Sequence, residues 1–143
     1  MTIDEFINKT VKTGVDYDGA YGAQCVDLFR QYAKDVLNIP KHTGSVDPVG
    51  AKALWLNYEN LPVEMEYFEK KRANSTPAQG DVAVWDGTPG NKYGHVAIVI
   101  CAWGKENLLV YEQDGTKKPG EPGYGARFKL RSKYNLLGYL RRK

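Results

Sequence analysis

The chain reads as an α+β protein on three observations. Helical periodicity is concentrated ahead of Pro62, period-two alternation takes over after it, and no helix-sized segment separates the later apolar runs. Successive strands with short connections imply an antiparallel, strongly curved sheet of about six strands, with the N-terminal helices packed on it. At 143 residues the chain suits one domain that buries its own core.

The elements follow in order. Thr2-Ile-Asp-Glu5 has capping-box spacing, and Ile3, Phe6, Ile7 and Val11 recur at helical intervals. Thr13 to Gly22 is polar and rich in turn residues. From Cys25 to Leu37, the residues Val26, Phe29, Ala33, Val36 and Leu37 make the buried face of a second helix, which Asn38-Ile-Pro40 stops. A loop through Gly44 and Pro48 leads to a short helix over 51–57, where Trp55 and Tyr58 serve packing. Strands are expected over 65–71, 81–85, 95–102, 108–114, 126–131 and 138–142. The stretch 73–80 is a surface loop rather than a domain boundary.

Composition is that of an ordinary globular chain, with 26% charged and 42% hydrophobic residues. No apolar run approaches the roughly 18 residues of a membrane span. The start, Met-Thr-Ile-Asp-Glu, is acidic and amphipathic, unlike a secretory leader. Charge is uneven: residues 1–116 carry 11 Lys+Arg against 16 Asp+Glu, whereas residues 117–143 carry 9 against 1. The basic end suits an anionic polymer, or equally a solvated edge strand guarded by lysine and arginine. No aromatic–basic pattern of a nucleic-acid binder accompanies it.

The chemistry concentrates in residues 16–27, Asp-Tyr-Asp-Gly-Ala-Tyr-Gly-Ala-Gln-Cys-Val-Asp. Carboxylates at the first, third and twelfth positions of a loop suit a hard cation such as Ca²⁺. Tyr21 at the sixth position and aspartate at the twelfth depart from an EF-hand. The remaining ligand set is Asp16, Asp18 and Asp27 with the carbonyls of Ala20 and Gly22, the alternative being an ordinary Asx turn. Cys25 opens a helix, where free N–H groups and the helix dipole favour a thiolate. Cys101, ending Val-Ala-Ile-Val-Ile-Cys, reads as a buried thiol, and a Cys25–Cys101 disulfide is the other use of the pair.

A thiolate nucleophile needs a base and usually an orienting partner. His42 lies in a polar loop, whereas His95 begins the most hydrophobic strand. Across a hairpin through 103–107, the start of that strand meets the end of the next, which carries Glu112 and Asp114 on one face. His95 and Glu112 would then be neighbours. A core-edge histidine and a solvated strand-end carboxylate are the alternatives.

Together these residues resemble the CHAP family (cysteine, histidine-dependent amidohydrolases/peptidases), particularly the catalytic domains of bacteriophage endolysins. The anchors are Asp-x-Asp-Gly-x-Tyr-x-x-Gln-Cys-x-Asp at 16–27, Gly-Asp-Val-Ala-Val-Trp at 80–85, Tyr-Gly-His-Val at 93–96 and Tyr-Glu-Gln at 111–113. The resemblance implies a papain-like fold and hydrolysis of an amide bond of peptidoglycan, as an endopeptidase or an N-acetylmuramoyl-L-alanine amidase. It implies Cys25 as nucleophile, His95 as base, Glu112 as orienting acid, and a structural Ca²⁺ on Asp16, Asp18, Ala20, Gly22 and Asp27. Asp114 stands where relatives often carry asparagine and takes an accessory catalytic place. Gln24 is expected to join the Cys25 N–H in stabilising the oxyanion.

The resulting expectation is a single catalytic domain over 1–143 without a separate wall-binding domain, acting as a monomer. It would be made in the host bacterial cytoplasm without a signal peptide and act on the cell wall. Its partners would be peptidoglycan and, through the basic C-terminal segment, anionic wall polymers, with no nucleic acid. The rival readings are a calcium-dependent, non-catalytic wall-binding module and a host enzyme that remodels its own wall.

Overall fold

The first helix is set by its cap. Thr2 Oγ1 accepts from the Glu5 N–H at 3.1 Å, and Glu5 Oε1 accepts from the Thr2 N–H at 2.9 Å. Helix α1 therefore runs Ile3–Thr10 and buries Phe6 completely. Helix α2 covers Cys25–Asp35 and buries Leu28, Phe29, Tyr32 and Ala33 on its inward face. This computed structural model describes residues 1–19, 22–44 and 50–143.

Short helices α3 (Ala53–Leu56) and α4 (Pro62–Tyr67) bracket a 3₁₀ turn at Tyr58–Asn60. Six strands follow: β1 Phe68–Arg72, β2 Val82–Trp85, β3 His95–Trp103, β4 Asn107–Glu112, β5 Arg127–Ser132 and β6 Leu136–Arg142. Their order is β1-β6-β2-β3-β4-β5, and every neighbouring pair is antiparallel. The α+β class and the curved antiparallel sheet are as the sequence predicts.

Alternation gives the sheet two buried faces. Val82, Val84, Val96, Ile98, Tyr111 and Leu140 meet the helices. On the opposite face Ala83, Trp85, Ala97, Val99, Leu108, Val110 and Tyr139 form a second cluster. That face is hidden because the sheet curls onto itself. In a flat sheet β2 and β5, three steps apart, would be separated by roughly 14 Å. Here the Trp85 indole N–H donates to the Ser132 carbonyl at 3.0 Å. Gly138 on β6 lets the sheet approach α3, since a Cβ there would fall 2.3 Å from the Trp55 ring.

Three expectations are corrected. Residues 65–67 are helical rather than extended, because Pro62 occupies the first position of α4, where its fixed φ and missing N–H fit a helix start. The short helix expected over 51–57 is regular only across Ala53–Leu56. Cys101 is exposed and both cysteines are free. A register irregularity after Val99 accompanies this, and Cys101 pairs with Leu109 beyond the reach of the helical layer. The 45–49 part of the loop through Pro48 lies outside the described residues.

Candidate active site

Helix α2 delivers Cys25 as its first residue, held from two sides. Asp27 Oδ2 accepts from the Gln24 N–H at 3.1 Å, capping the helix. From just past the end of β4, the fully buried Gln113 amide donates to the Gln24 carbonyl at 2.9 Å and to the Val15 carbonyl at 2.9 Å. Its oxygen accepts from the Val15 N–H at 2.6 Å. Gln113 thus buckles the loop before the thiol to the strand that carries Glu112.

His95 enters from β3 through a turn at Gly94, whose φ is +76° and where a Cβ would lie 2.4 Å from the Trp85 carbonyl oxygen. Only glycine accepts both constraints without strain. The turn sets His95 opposite Trp85, with ring centroids 5.7 Å apart. Glu112 ends β4 and is fully buried. Its Oε1 lies 3.0 Å from His95 Nε2, so the imidazole's other nitrogen is left for the Cys25 thiol, whose interaction with the ring favours the imidazolium.

Glu112 has a second set of partners. Arg131 on β5 grips both of its oxygens, Nε donating to Oε1 and Nη2 donating to Oε2 at 2.8 Å. Arg127 Nη2 stands 3.5 Å from Oε2. Burial alone would push this carboxyl up, but the Arg131 fork and the His95 ring lower its pKa to about 2. For His95, burial pulls the pKa down, yet hydrogen bonds and charge from Cys25 and Glu112 outweigh it and raise it to about 9. The ring is therefore favoured as the imidazolium at neutral pH.

Asp114 does not join this cluster. Strand β4 stops at Glu112, and the chain then turns. Asp114 Oδ1 accepts from the Thr116 N–H at 2.9 Å, and Oδ2 faces Arg127 at 3.5 Å. Gln24 is exposed and sits at the N-cap, directly before Cys25. His95 and Arg131 border an open cleft of about 350 Å³, with Trp85, Asp86, Tyr134 and Asn135 among its walls.

The acid loop gathers Asp16, Asp18 and Asp27, whose carboxylate oxygens lie within 4.8 Å of one another. Two ligands of one Ca²⁺ stand at most about 5.2 Å apart, so this spacing fits the ion. Arg30 already reaches in. Its Nη1 donates to Asp18 Oδ2 at 3.1 Å and to Asp27 Oδ1 at 3.2 Å, while Nε and Nη2 bind the Thr43 and Gly44 carbonyls. One guanidinium against three carboxylates leaves the loop short of positive charge. The fully buried Asp27 has its pKa raised, first by burial and then by Asp18 and Asp16, although the Gln24 N–H and Arg30 oppose this. Gly22 takes a left-handed φ of +75°, and Ala20 lies outside the described residues.

The family model of the CHAP domain matches residues 14–114. The chain belongs to the CHAP family. It is 33% identical over 105 residues to endolysin PlyTW of Staphylococcus phage Twort, covering 67% of this chain and 19% of that protein. Among solved structures, the endolysin LysIME-EF1 superposes with a TM-score of 0.65 at 21% identity, over 99% of this chain and 64% of that one. Ly7917 gives 0.57 at 19% identity, over 99% and 63%. The chain thus spans a fifth of its curated relative and less than two thirds of these structures.

Within this CHAP domain, sequence reasoning missed Arg131, Arg127 and Gln113. Gln113 was inside a noted motif but carried no role. The arginines were read as part of a basic surface. Pairing β5 with β4 was the available signal, because Arg127 stands opposite Glu112 and Arg131 opposite Leu108 on the same face. Arg141, half-buried, likewise pairs with a buried acid, Asp81, at 2.8 Å. Three of the nine basic residues in 117–143, Arg127, Arg131 and Arg141, therefore balance the protein's own acids. Among the described residues, no helix is long and apolar enough to cross a membrane.

Proposed function

We propose that this CHAP domain is the catalytic part of a peptidoglycan hydrolase that cuts an amide bond of bacterial cell-wall peptide by thiol chemistry. The observation that carries this reading is that His95, which lines an open cleft, meets the buried Glu112 carboxylate at 3.0 Å and interacts with Cys25 as well. Endolysins among the relatives support the substrate class.

In the proposed reaction the Cys25 proton resides on His95, and the sulfur attacks the amide carbonyl carbon. The oxyanion that forms is stabilised by the Cys25 N–H at the open first turn of α2, with the Gln24 side chain beside it. The C–N bond breaks as the imidazolium gives its proton to the leaving amine. Water, deprotonated by the now neutral ring, then hydrolyses the thioester and frees the acid. Glu112 keeps the ring oriented and stabilises its charge. Asp114 acts at one remove, as a counter-charge to Arg127.

Ca²⁺ on Asp16, Asp18 and Asp27 is part of the proposal. It would supply the charge that the acid loop lacks and fix the first turn of the nucleophile's helix, with the Gly22 carbonyl available as a further ligand. The wall is the proposed site of action, and exposed Lys117, Lys118 and Lys129 are the basic side chains free to meet an anionic wall polymer.

Digestion of purified cell walls, followed by mass spectrometry of the soluble fragments, tests the reading. The protein should generate paired new amino and carboxyl termini at one bond, which also distinguishes endopeptidase from amidase. C25S should generate none while keeping the wild-type circular dichroism. Fragments released equally by C25S would refute the mechanism.

A further inference from the structure

Arg131 has more to do than guard an edge strand. Its fork spans both oxygens of Glu112, and Oε1 is shared between Arg131 Nε and His95 Nε2. The carboxylate is fully buried, whereas the arginine side chain is 30% exposed and borders the cleft. A buried carboxylate with no counter-charge takes up a proton, and a neutral acid no longer stabilises an imidazolium. A bidentate pair also removes rotational freedom that a single hydrogen bond leaves. Resting on the thiol mechanism proposed above, we infer that Arg131 is a positioning residue: its guanidinium holds Glu112 ionised and in one orientation, so that Glu112 can align and charge His95.

The charged surroundings of Glu112 are few. His95 faces it from β3, and Arg131 and Arg127 face it from β5. Cys25 adjoins the ring from α2, and Asp114 lies beyond Arg127. Arg127 stands farther off and divides itself between Glu112 and Asp114, so it does not replace the fork. The competing role for Arg131 is direct contact with a substrate carboxylate through Nη1, the one guanidinium nitrogen not on Glu112. The two roles separate cleanly. A positioning residue loses its effect when Glu112 is already neutral, whereas a substrate-binding residue does not.

The test compares wild type, R131M, R131K, E112Q and R131M/E112Q, each assayed on purified cell walls at varied wall concentration from pH 5 to 9. R131M should lower the maximal rate by about 10-fold or more, the lower end of what acid–base machinery contributes. The half-saturating wall concentration should stay within about twofold. Its acid limb should move up by on the order of one pH unit as Glu112 begins to protonate, while R131K, which keeps the charge, should hold the wild-type limb. In the E112Q background R131M should cost little more.

An R131M penalty that multiplies undiminished in E112Q, one carried by half-saturation, or an unmoved acid limb would overturn the inference. Should R131M fail to fold by circular dichroism, R131K decides: a lowered maximal rate alone, and no further loss with E112Q, supports it, and equal losses in both backgrounds overturn it. Wall cleavage by C25S would instead sink the thiol mechanism itself, so the two failures are distinguishable.

Discussion

Glu112 and Asp27 are equally hidden from water, and burial treats them alike, yet their pKa values move in opposite directions. Glu112 has an arginine on both oxygens, a second arginine at 3.5 Å and the His95 ring. Asp27 shares one arginine with Asp18 and lies beside Asp16 as well. The difference is cations per carboxylate. At the triad corner the chain supplies its own positive charge, and the acid is held ionised for use. At the loop the acids outnumber the arginine, and the proposed Ca²⁺ would supply the missing charge. Asp27 lies in the first turn of α2, two residues after Cys25, so whatever pins Asp27 also steadies Cys25.

If that contrast is right, Ca²⁺ should act on the loop and leave the triad's electrostatics intact. Thermal unfolding monitored by circular dichroism should shift upward with Ca²⁺, by an amount equivalent to about 2.7 kcal/mol at a hundred times the dissociation constant. D27N should lose most of the shift. No shift in either protein would return the loop to an ordinary turn.

A smaller and sharper effect concerns Arg30. Its Nη1 bonds both Asp18 and Asp27, two of the proposed Ca²⁺ ligands. R30Q should therefore bind Ca²⁺ about tenfold more tightly in isothermal titration, the equivalent of about 1.4 kcal/mol, and unfold at lower temperature without it. Equal affinity in wild type and R30Q would show that arginine and cation do not compete.

The sequence was most readable where one local signal fixed a position. Cys25 stood where a polar, turn-rich stretch gives way to the apolar repeat of a helix. His95 followed a glycine at the head of the most apolar strand. Glu112 came within reach because a three-residue connection forces β3 and β4 to pair. Arg131 was unreadable for the opposite reason. Its meaning depends on β5 pairing with β4 across residues 113–126, a long irregular stretch that no local pattern closes. Its charge then passed for surface. Residues 65–67 misled because Met-Glu-Tyr alternates like a strand while Pro62 had already begun a helix. Cys101 misled because an apolar run says nothing of how far the helical layer extends over the sheet. Alternation put Asp114 on the face of Glu112, but the strand ends at Glu112 and the pattern no longer applies beyond it.

The central claim is that sulfur, imidazole and carboxylate act as one coupled unit. Nitrogen-15 NMR titration of the imidazoles tests it most directly, since the chain has only 2 histidines to assign. His95 should titrate near pH 9, and E112Q and C25S should each bring its midpoint down. A wild-type midpoint at the ordinary histidine value of about 6.5, unmoved by either substitution, would contradict the account.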